Sequence, residues 1–251
     1  MLNLKIITIM KNYNIDNGVL IQYYGNAARP SIPKDVTEIY AWAFYNCDTI
    51  TSIKIPDSVT KIGNSSFRNC RNLTTIDIPN SVTRIGWGAF NGCRNLTSIK
   101  IPKSVNRIDD YAFCGCDNLA NIQIPNSVAW IGDTAFDVKG VKPQYNSNGT
   151  LRAFKAFFHD WTCRNFQYEV GKSYHQDGDI NCCLNGFHAC PNPLDVFNYY
   201  HGRLYALHFA EVELSGEMDW EFDKVAASDI RIVRELTISE LAEIYNSMEK
   251  V

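Results

Sequence analysis

The chain has 251 residues, 45% apolar and 20% charged, with a net charge of -3; that size can bury one large or two modest cores. Without a run of about 18 apolar residues it carries no membrane-spanning helix. Residues 1–150 hold 15 Lys/Arg against 11 Asp/Glu and residues 151–251 hold 9 against 16, an asymmetry too small on its basic side to be a nucleic-acid footprint.

The first ten residues, Met1 to Met10, suggest a signal peptide only faintly, because Lys5 interrupts the apolar run and no small-residue cleavage site follows. An intracellular, cytoplasmic chain is the expectation, with Met10 as an alternative start to Met1. The nine cysteines point the same way: their number is odd and four of them keep a repeat register, which suits reduced thiols better than a disulfide scaffold.

The dominant feature is a 23-residue period. It relates Pro33, Pro56, Pro79, Pro102 and Pro125; Val36, Val59, Val82, Val105 and Val128; Ile39, Ile62, Ile85, Ile108 and Ile131; and Phe44, Phe67, Phe90, Phe113 and Phe136. Cys47, Cys70, Cys93 and Cys116 keep the same step. In one unit Leu73, Ile76 and Ile78 alternate as a short strand with apolar side chains inward, Pro79 ends the strand pairing, Val82 and Ile85 return from the opposite wall, and Phe90 fills the centre. No such coil buries its edges alone, so five stacked coils are expected, with a ladder of small buried thiols rather than disulfides or a metal site.

This pattern resembles the BspA-type (treponemal) leucine-rich repeats over residues 29–138, which implies a β-solenoid. The segment Asn17–Gly25 is similar to the hairpin that caps such arrays. Residues 1–28 then form an N-terminal segment and cap. Family members are often exported adhesins, a role that the missing export signal argues against here.

Two surfaces follow from the register. Ser52, Lys54, Thr75, Asp77, Ser98, Lys100, Asn121 and Gln123 make a mixed polar face. On the other wall the residue before each repeat isoleucine gives the row Glu38, Lys61, Arg84, Arg107 and Trp130. Coils about 5 Å apart would align three cations beside an aromatic. Such a row is either a solvated face, given Asp57 and Asp109 nearby in sequence, or a contact for an acidic protein surface. The acidic C-terminal half of the same chain is a second acidic surface that could dock there.

Periodicity stops after Phe136. Residues 139–150, rich in Gly, Pro and Asn, read as a connector, and a small α+β domain with a mostly antiparallel sheet is expected over residues 151–251. Leu151–Phe158 and Phe166–Val170 read as strands, with Gly171-Lys172 as a turn. Asn192 and Pro193 read as the start of a short helix through Tyr200. Arg203–Leu214 reads as a strand that turns at Ser215-Gly216 into a second strand, Glu217–Phe222. A terminal helix opens on a capping box of Thr237 and Glu240 and buries Ile238, Leu241, Ala242, Tyr245 and Met248.

Cys163, Cys182, Cys183, His188 and Cys190, with His159 and His175, are soft ligands close in sequence. Their spacing matches no zinc ribbon, finger or knuckle, and structural cysteines are the main reading; a metal site, or a nucleophile pair of Cys163 or Cys190 with His188, are the alternatives. Trp161, Tyr199, Tyr200 and Trp220 could add a contact surface, although most should be core.

The stretches Cys163–Lys172, Gly186–Cys190 and Lys224–Ser228 resemble an uncharacterised domain recurrent in phage and bacterial proteins, over about residues 152–245, which implies a phage or prophage origin. Gly186–Cys190, the following short helix and Ala210–Leu214 are also similar to the strand, helix, strand succession of ADP-ribosyltransferase-like domains. That likeness implies NAD as cofactor, His188 as a ligand contact and Glu211 or Glu213 as the catalytic carboxylate, although no S-T-S segment is present.

The expected function is therefore a non-enzymatic interaction module, phage-encoded and acting on a host protein in the host cytoplasm. It needs no cofactor, metal, membrane or nucleic acid, and it binds through Lys61, Arg84, Arg107 and Trp130. The alternative is an ADP-ribosyltransferase-like enzyme targeted by the repeats.

Overall fold

A computed structural model describes residues 7–10, 12–137, 140–182, 184–200 and 202–250; Cys183, Lys139 and most of the Met1–Met10 start lie outside them. The chain divides into two units, Met1–Lys139 and Gly140–Val251.

The first unit begins with an antiparallel meander of β1 (Ile7–Met10), β2 (Tyr13–Asp16) and β3 (Val19–Tyr23). Asn17 and Gly18 join β2 to β3 with φ of 48° and 78°, the left-handed pair that a two-residue hairpin turn requires. The repeat follows as two walls of short parallel strands. One wall stacks β4 (Glu38–Ile39), β6 (Lys61–Ile62), β8 (Arg84–Ile85), β10 (Arg107–Ile108) and β12 (Trp130–Ile131). The other pairs β5 (Ser52–Lys54) with β7 (Thr75–Asp77) and β9 (Ser98–Lys100) with β11 (Asn121–Gln123).

Successive coils align without slippage, and the reason is in the core. The five repeat phenylalanines stack with centroids 4.8–5.3 Å apart and planes within 8°, all but fully buried. Cys70, Cys93 and Cys116 are also buried, and each thiol donates to the carbonyl of Phe44, Phe67 or Phe90 at 3.0–3.3 Å. The thiols are thus directional links between coils as well as small fillers. Ser58, Ser81, Ser104 and Ser127 likewise donate to Val36, Val59, Val82 and Val105.

The cap is more than a cover. Leu20 of β3 pairs in parallel register with Ile39, and Tyr23 packs on Phe44 with ring centroids 5.2 Å apart and planes tilted by 35° while its N–H bonds the Ala43 carbonyl. The hairpin therefore supplies an abbreviated coil ahead of the five legible from the 23-residue step. It escapes that step because Leu20 precedes Ile39 by 19 residues and a tyrosine stands at the end of the phenylalanine stack.

The second unit is an antiparallel sheet with few helical residues. In chain order it contains β13 (Gln144–Tyr145), β14 (Leu151–Phe158), β15 (Thr162–Cys163), β16 (Phe166–Gln167), β17 (Ser173–His175), β18 (Phe187–Ala189), helix α1 (Val196–Tyr199), β19 (Gly202–Arg203), a 3-10 turn at Leu204–Ala206, β20 (Leu207–Glu221), β21 (Lys224–Leu236) and helix α2 (Ile238–Ser247). The sheet order is β13-β14-β20-β21-β17, with β18 also paired to β21.

Four local expectations need correction. Ser215-Gly216 is not a turn: β20 runs through it, and Gly216 and Glu217 bulge opposite Ser228, with Gly216 at φ 75°. Glycine marks a bulge as readily as a turn, and the hairpin closes instead at Phe222, φ 53°. The strand at Phe166 ends at Gln167, because its partner β15 is equally short. The short helix begins after Asp195, while Asn192 closes a turn by accepting from the Leu194 N–H, a local bond that competes with helix entry. Part of the expected connector also joins the sheet as β13. The terminal helix has both bonds of the Thr237–Glu240 capping box and buries the anticipated face.

Candidate functional site

The row before the repeat isoleucines lies in exact parallel register: Glu38, Lys61, Arg84, Arg107 and Trp130 are successive Cα partners. Its cations are internally engaged. Lys61 donates to Glu38 at 2.6 Å. Arg84 places Nε and a terminal nitrogen 2.8 and 2.6 Å from Oδ2 of Asp109, and Arg107 bonds Oδ1 of the same carboxylate at 2.5 Å. Arg107 also lies 4.4 Å from the centre of the Trp130 ring. Asp109 is 6% exposed, whereas the side chains of Lys61, Arg84 and Arg107 are 48%, 45% and 39% exposed. Three cations share two carboxylates. The buried one holds two guanidinium planes, so the surface keeps positive charge on side chains already ordered.

Beside this wall lies a group that the sequence reading passed over. Trp42, Trp87 and Tyr111 are exposed at the turns between walls. Arg68 sits 5.9 Å from the Trp87 ring centre, and Trp87 meets Tyr111 edge-on at 5.8 Å. These residues occupy variable positions of the repeat, so periodicity masks them; the available signal was aromatic content at positions the period leaves free.

In the second unit the cysteine and histidine cluster separates. Cys163, His188 and Cys190 line a cavity of about 530 Å³. His175 instead binds Asp229 and Asp177 at 2.8 and 3.1 Å, and the His159 carbonyl accepts from His208. Among the described residues no group of three or more His, Cys, Asp or Glu is placed to hold a metal ion. Cys190 is buried, and burial pushes its thiol well above the usual range, which disfavours the thiolate a nucleophile needs. Cys163 Sγ meets the Tyr200 hydroxyl at 3.1 Å.

The carboxylates expected under the ADP-ribosyltransferase resemblance do not join His188. Neither Glu211 nor Glu213 lines the cavity. Glu211 is clamped by Arg152 at 2.6 Å and Arg234 at 3.2 Å, and these arginines hold its carboxyl below the usual range against the opposing effect of burial. Glu213 bonds Asn146 at 2.9 Å and Arg231 at 3.3 Å. Both side chains brace the sheet.

His188 has its ring pushed down to about 4, first by burial and then by Arg164, Lys155 and Lys224. Lys155 is 4% exposed and donates to the His188 carbonyl at 2.8 Å; burial lowers its amine below the ordinary lysine range. Of the expected aromatics, Trp161 stacks on His208 at 4.7 Å, Tyr200 packs on the core, and Tyr199 and Trp220 are exposed.

Residues 20–141 match the BspA type leucine rich repeat region in six copies, and residues 151–244 match a domain of unknown function, DUF7666. Among solved structures, the T. pallidum leucine rich repeat protein is similar at 30% identity and TM-score 0.47, covering 48% of this chain and 61% of that one. A leucine rich cell surface protein from Faecalibacterium prausnitzii is similar at 38% identity and TM-score 0.43, covering 44% of this chain and 30% of its own. The chain thus spans less than two thirds of the length of either. No curated protein matches.

Proposed function

We propose that this chain, a BspA-type leucine-rich-repeat array followed by a domain of unknown function, is a protein-interaction module that holds an acidic partner surface on the wall carrying Lys61, Arg84, Arg107 and Trp130. The observation that carries this reading is the Arg84–Asp109–Arg107 fork. Two arginines fixed on one buried carboxylate lose little further freedom when a partner docks, and preordering of this kind converts contact area into affinity. Trp42, Arg68, Trp87 and Tyr111 supply residue types that dominate interface energetics. The solenoid presents both groups on a framework braced coil by coil.

In its finer form the partner is a host protein and the chain is phage- or prophage-encoded, acting in the host cytoplasm; this rests on the resemblance of the C-terminal stretches to phage domains. Among the described residues no helix is long and apolar enough to cross a membrane.

The test is quantitative capture from a bacterial lysate, comparing the wild type with Lys61→Glu combined with Arg84→Gln and Arg107→Gln, substitutions that keep a donor near Asp109. A control changes the polar face through Thr75→Ala and Asp77→Ala. The reading requires a protein held by the wild type and the control, released by salt and lost with the basic-wall variant. Equal capture by all three would remove this wall from the function.

A further inference from the structure

We propose that the cavity of the C-terminal unit binds a small planar aromatic anion, its ring among the aromatic side chains and its anionic group at Lys155 and Arg164. The cavity is a half-open pocket lined by β14, β18, the β15–β16 hairpin, α1 and the start of β21. Its volume of about 530 Å³ falls within the common range of small-molecule sites, roughly 300–1,000 Å³.

The walls favour a flat ring. Phe166, Tyr168 and Phe187 lie within 4.8–6.3 Å of one another at steep mutual angles, presenting ring faces and edges to the same space. Phe158 and Tyr199, both about half exposed, also line it. Such an arrangement accepts an aromatic guest by offset or edge-on contacts.

The charge favours an anion. Lys155, Arg164 and Lys224 line the cavity, and among the described residues no Asp or Glu does. Lys224 already has Glu221 at 3.5 Å and lies over the Tyr199 ring at 5.0 Å, so it closes one side. Arg164 stands on the two-residue turn of the β15–β16 hairpin, with φ of 49° at Arg164 and 64° at Asn165, a stiff turn type that limits where its side chain can reach. Lys155 is the decisive residue. An ammonium offers three donors; among the described residues this one donates to the His188 carbonyl and also meets the Cys163 thiol. A cation buried without a carboxylate is unfavourable in general, and an anionic guest offsets that penalty where a neutral one leaves it. Burial first, and then the neighbouring charges of Arg164, Lys155 and Lys224, suppress protonation of His188 and leave a neutral imidazole at the cavity wall.

A mononucleotide and an aryl carboxylate share this chemistry. The experiment titrates the full chain calorimetrically with adenosine monophosphate and with indole-3-acetate, against adenosine, tryptophol and inorganic phosphate. At least one aromatic anion should bind about tenfold or more tightly than its neutral counterpart and than phosphate, and whichever binds names the source. Lys155→Met, which keeps the length and suits the apolar surroundings, and Arg164→Gln at the exposed turn should each weaken that binding by about tenfold or more, with wild-type circular dichroism. If Lys155→Met does not fold, Arg164→Gln alone decides. Binding of neither anion, equal binding of neutral and anionic partners, or affinity unchanged in a folded variant overturns the proposal.

Discussion

Phe67 and Phe90, 23 residues apart, lie with ring centroids 5.3 Å apart and planes 6° from parallel. Each ring is an end wall for the next, so removing one exposes two neighbours to a void. Phe90→Ala is therefore expected to cost on the order of 3–5 kcal/mol, and Phe90→Leu markedly less. Because coil stability propagates through nearest neighbours, urea unfolding of the alanine variant should also show a smaller slope, reporting a partly melted array. A loss under about 1 kcal/mol would mean that the stack is not the source of cohesion.

Asp109 joins two arginines of adjacent coils. Asp109→Asn leaves the like charges of Arg84 and Arg107 in register without their shared anion, at a cost of about 1–3 kcal/mol. Adding Arg84→Gln should recover part of that stability in a double-mutant cycle. Additive losses would show that the fork contributes nothing as a unit.

Burial raises the thiols of Cys70, Cys93 and Cys116 far above the ordinary range, and the half-exposed Cys47 and Cys114 are each pushed up to about 11. At pH 8 all five are thiols, and alkylation depends on the thiolate. Mass spectrometry after an iodoacetamide pulse should find Cys70, Cys93 and Cys116 unmodified in the folded protein and modified in guanidinium. Rapid native labelling would contradict the ladder.

His188 is held at about 4 in the folded protein, below its unfolded value near 6.5. As pH falls below 6.5 the unfolded chain takes up the proton first, so the second unit loses stability between pH 6.5 and 4, with no further loss from this group below that. With partial water access the effect is on the order of 1 kcal/mol. His188→Gln should flatten this part of the pH profile of chemical unfolding, and an unchanged profile would show that another group is responsible.

A Cβ on Gly216 would lie 2.0 Å from Ser228 Oγ and 2.2 Å from Asp229 Oδ2, at φ 75°. Gly216→Ala should lower stability by about 1–3 kcal/mol, through left-handed strain and displacement of the Ser228–Asp229 hydrogen bond. Thermal unfolding monitored by near-UV circular dichroism measures it.

By itself the sequence determined the solenoid, its coil length, the buried rows, the aligned Glu38-to-Trp130 row and the terminal helix with its capping box. A repeat imposes one local geometry many times, and a helix cap is settled by neighbours within four residues, so both are written in short-range spacing. Tertiary structure alone decided the rest. The hairpin became an extra coil because its tyrosine found a phenylalanine to pack against, and Gly216 became a bulge because pairing with β21 resumes beyond it, Met218–Glu221 lying opposite Lys224–Ala227. The basic row gained its buried counter-charge because Asp109 lies next to Arg84 across a coil boundary, and that spatial pairing ordered a row whose cations alone would repel. In the second unit, Lys155 and His188 face one cavity while Glu211 and Glu213 brace the sheet, because strand pairing between residues far apart in sequence assigns each side chain its face.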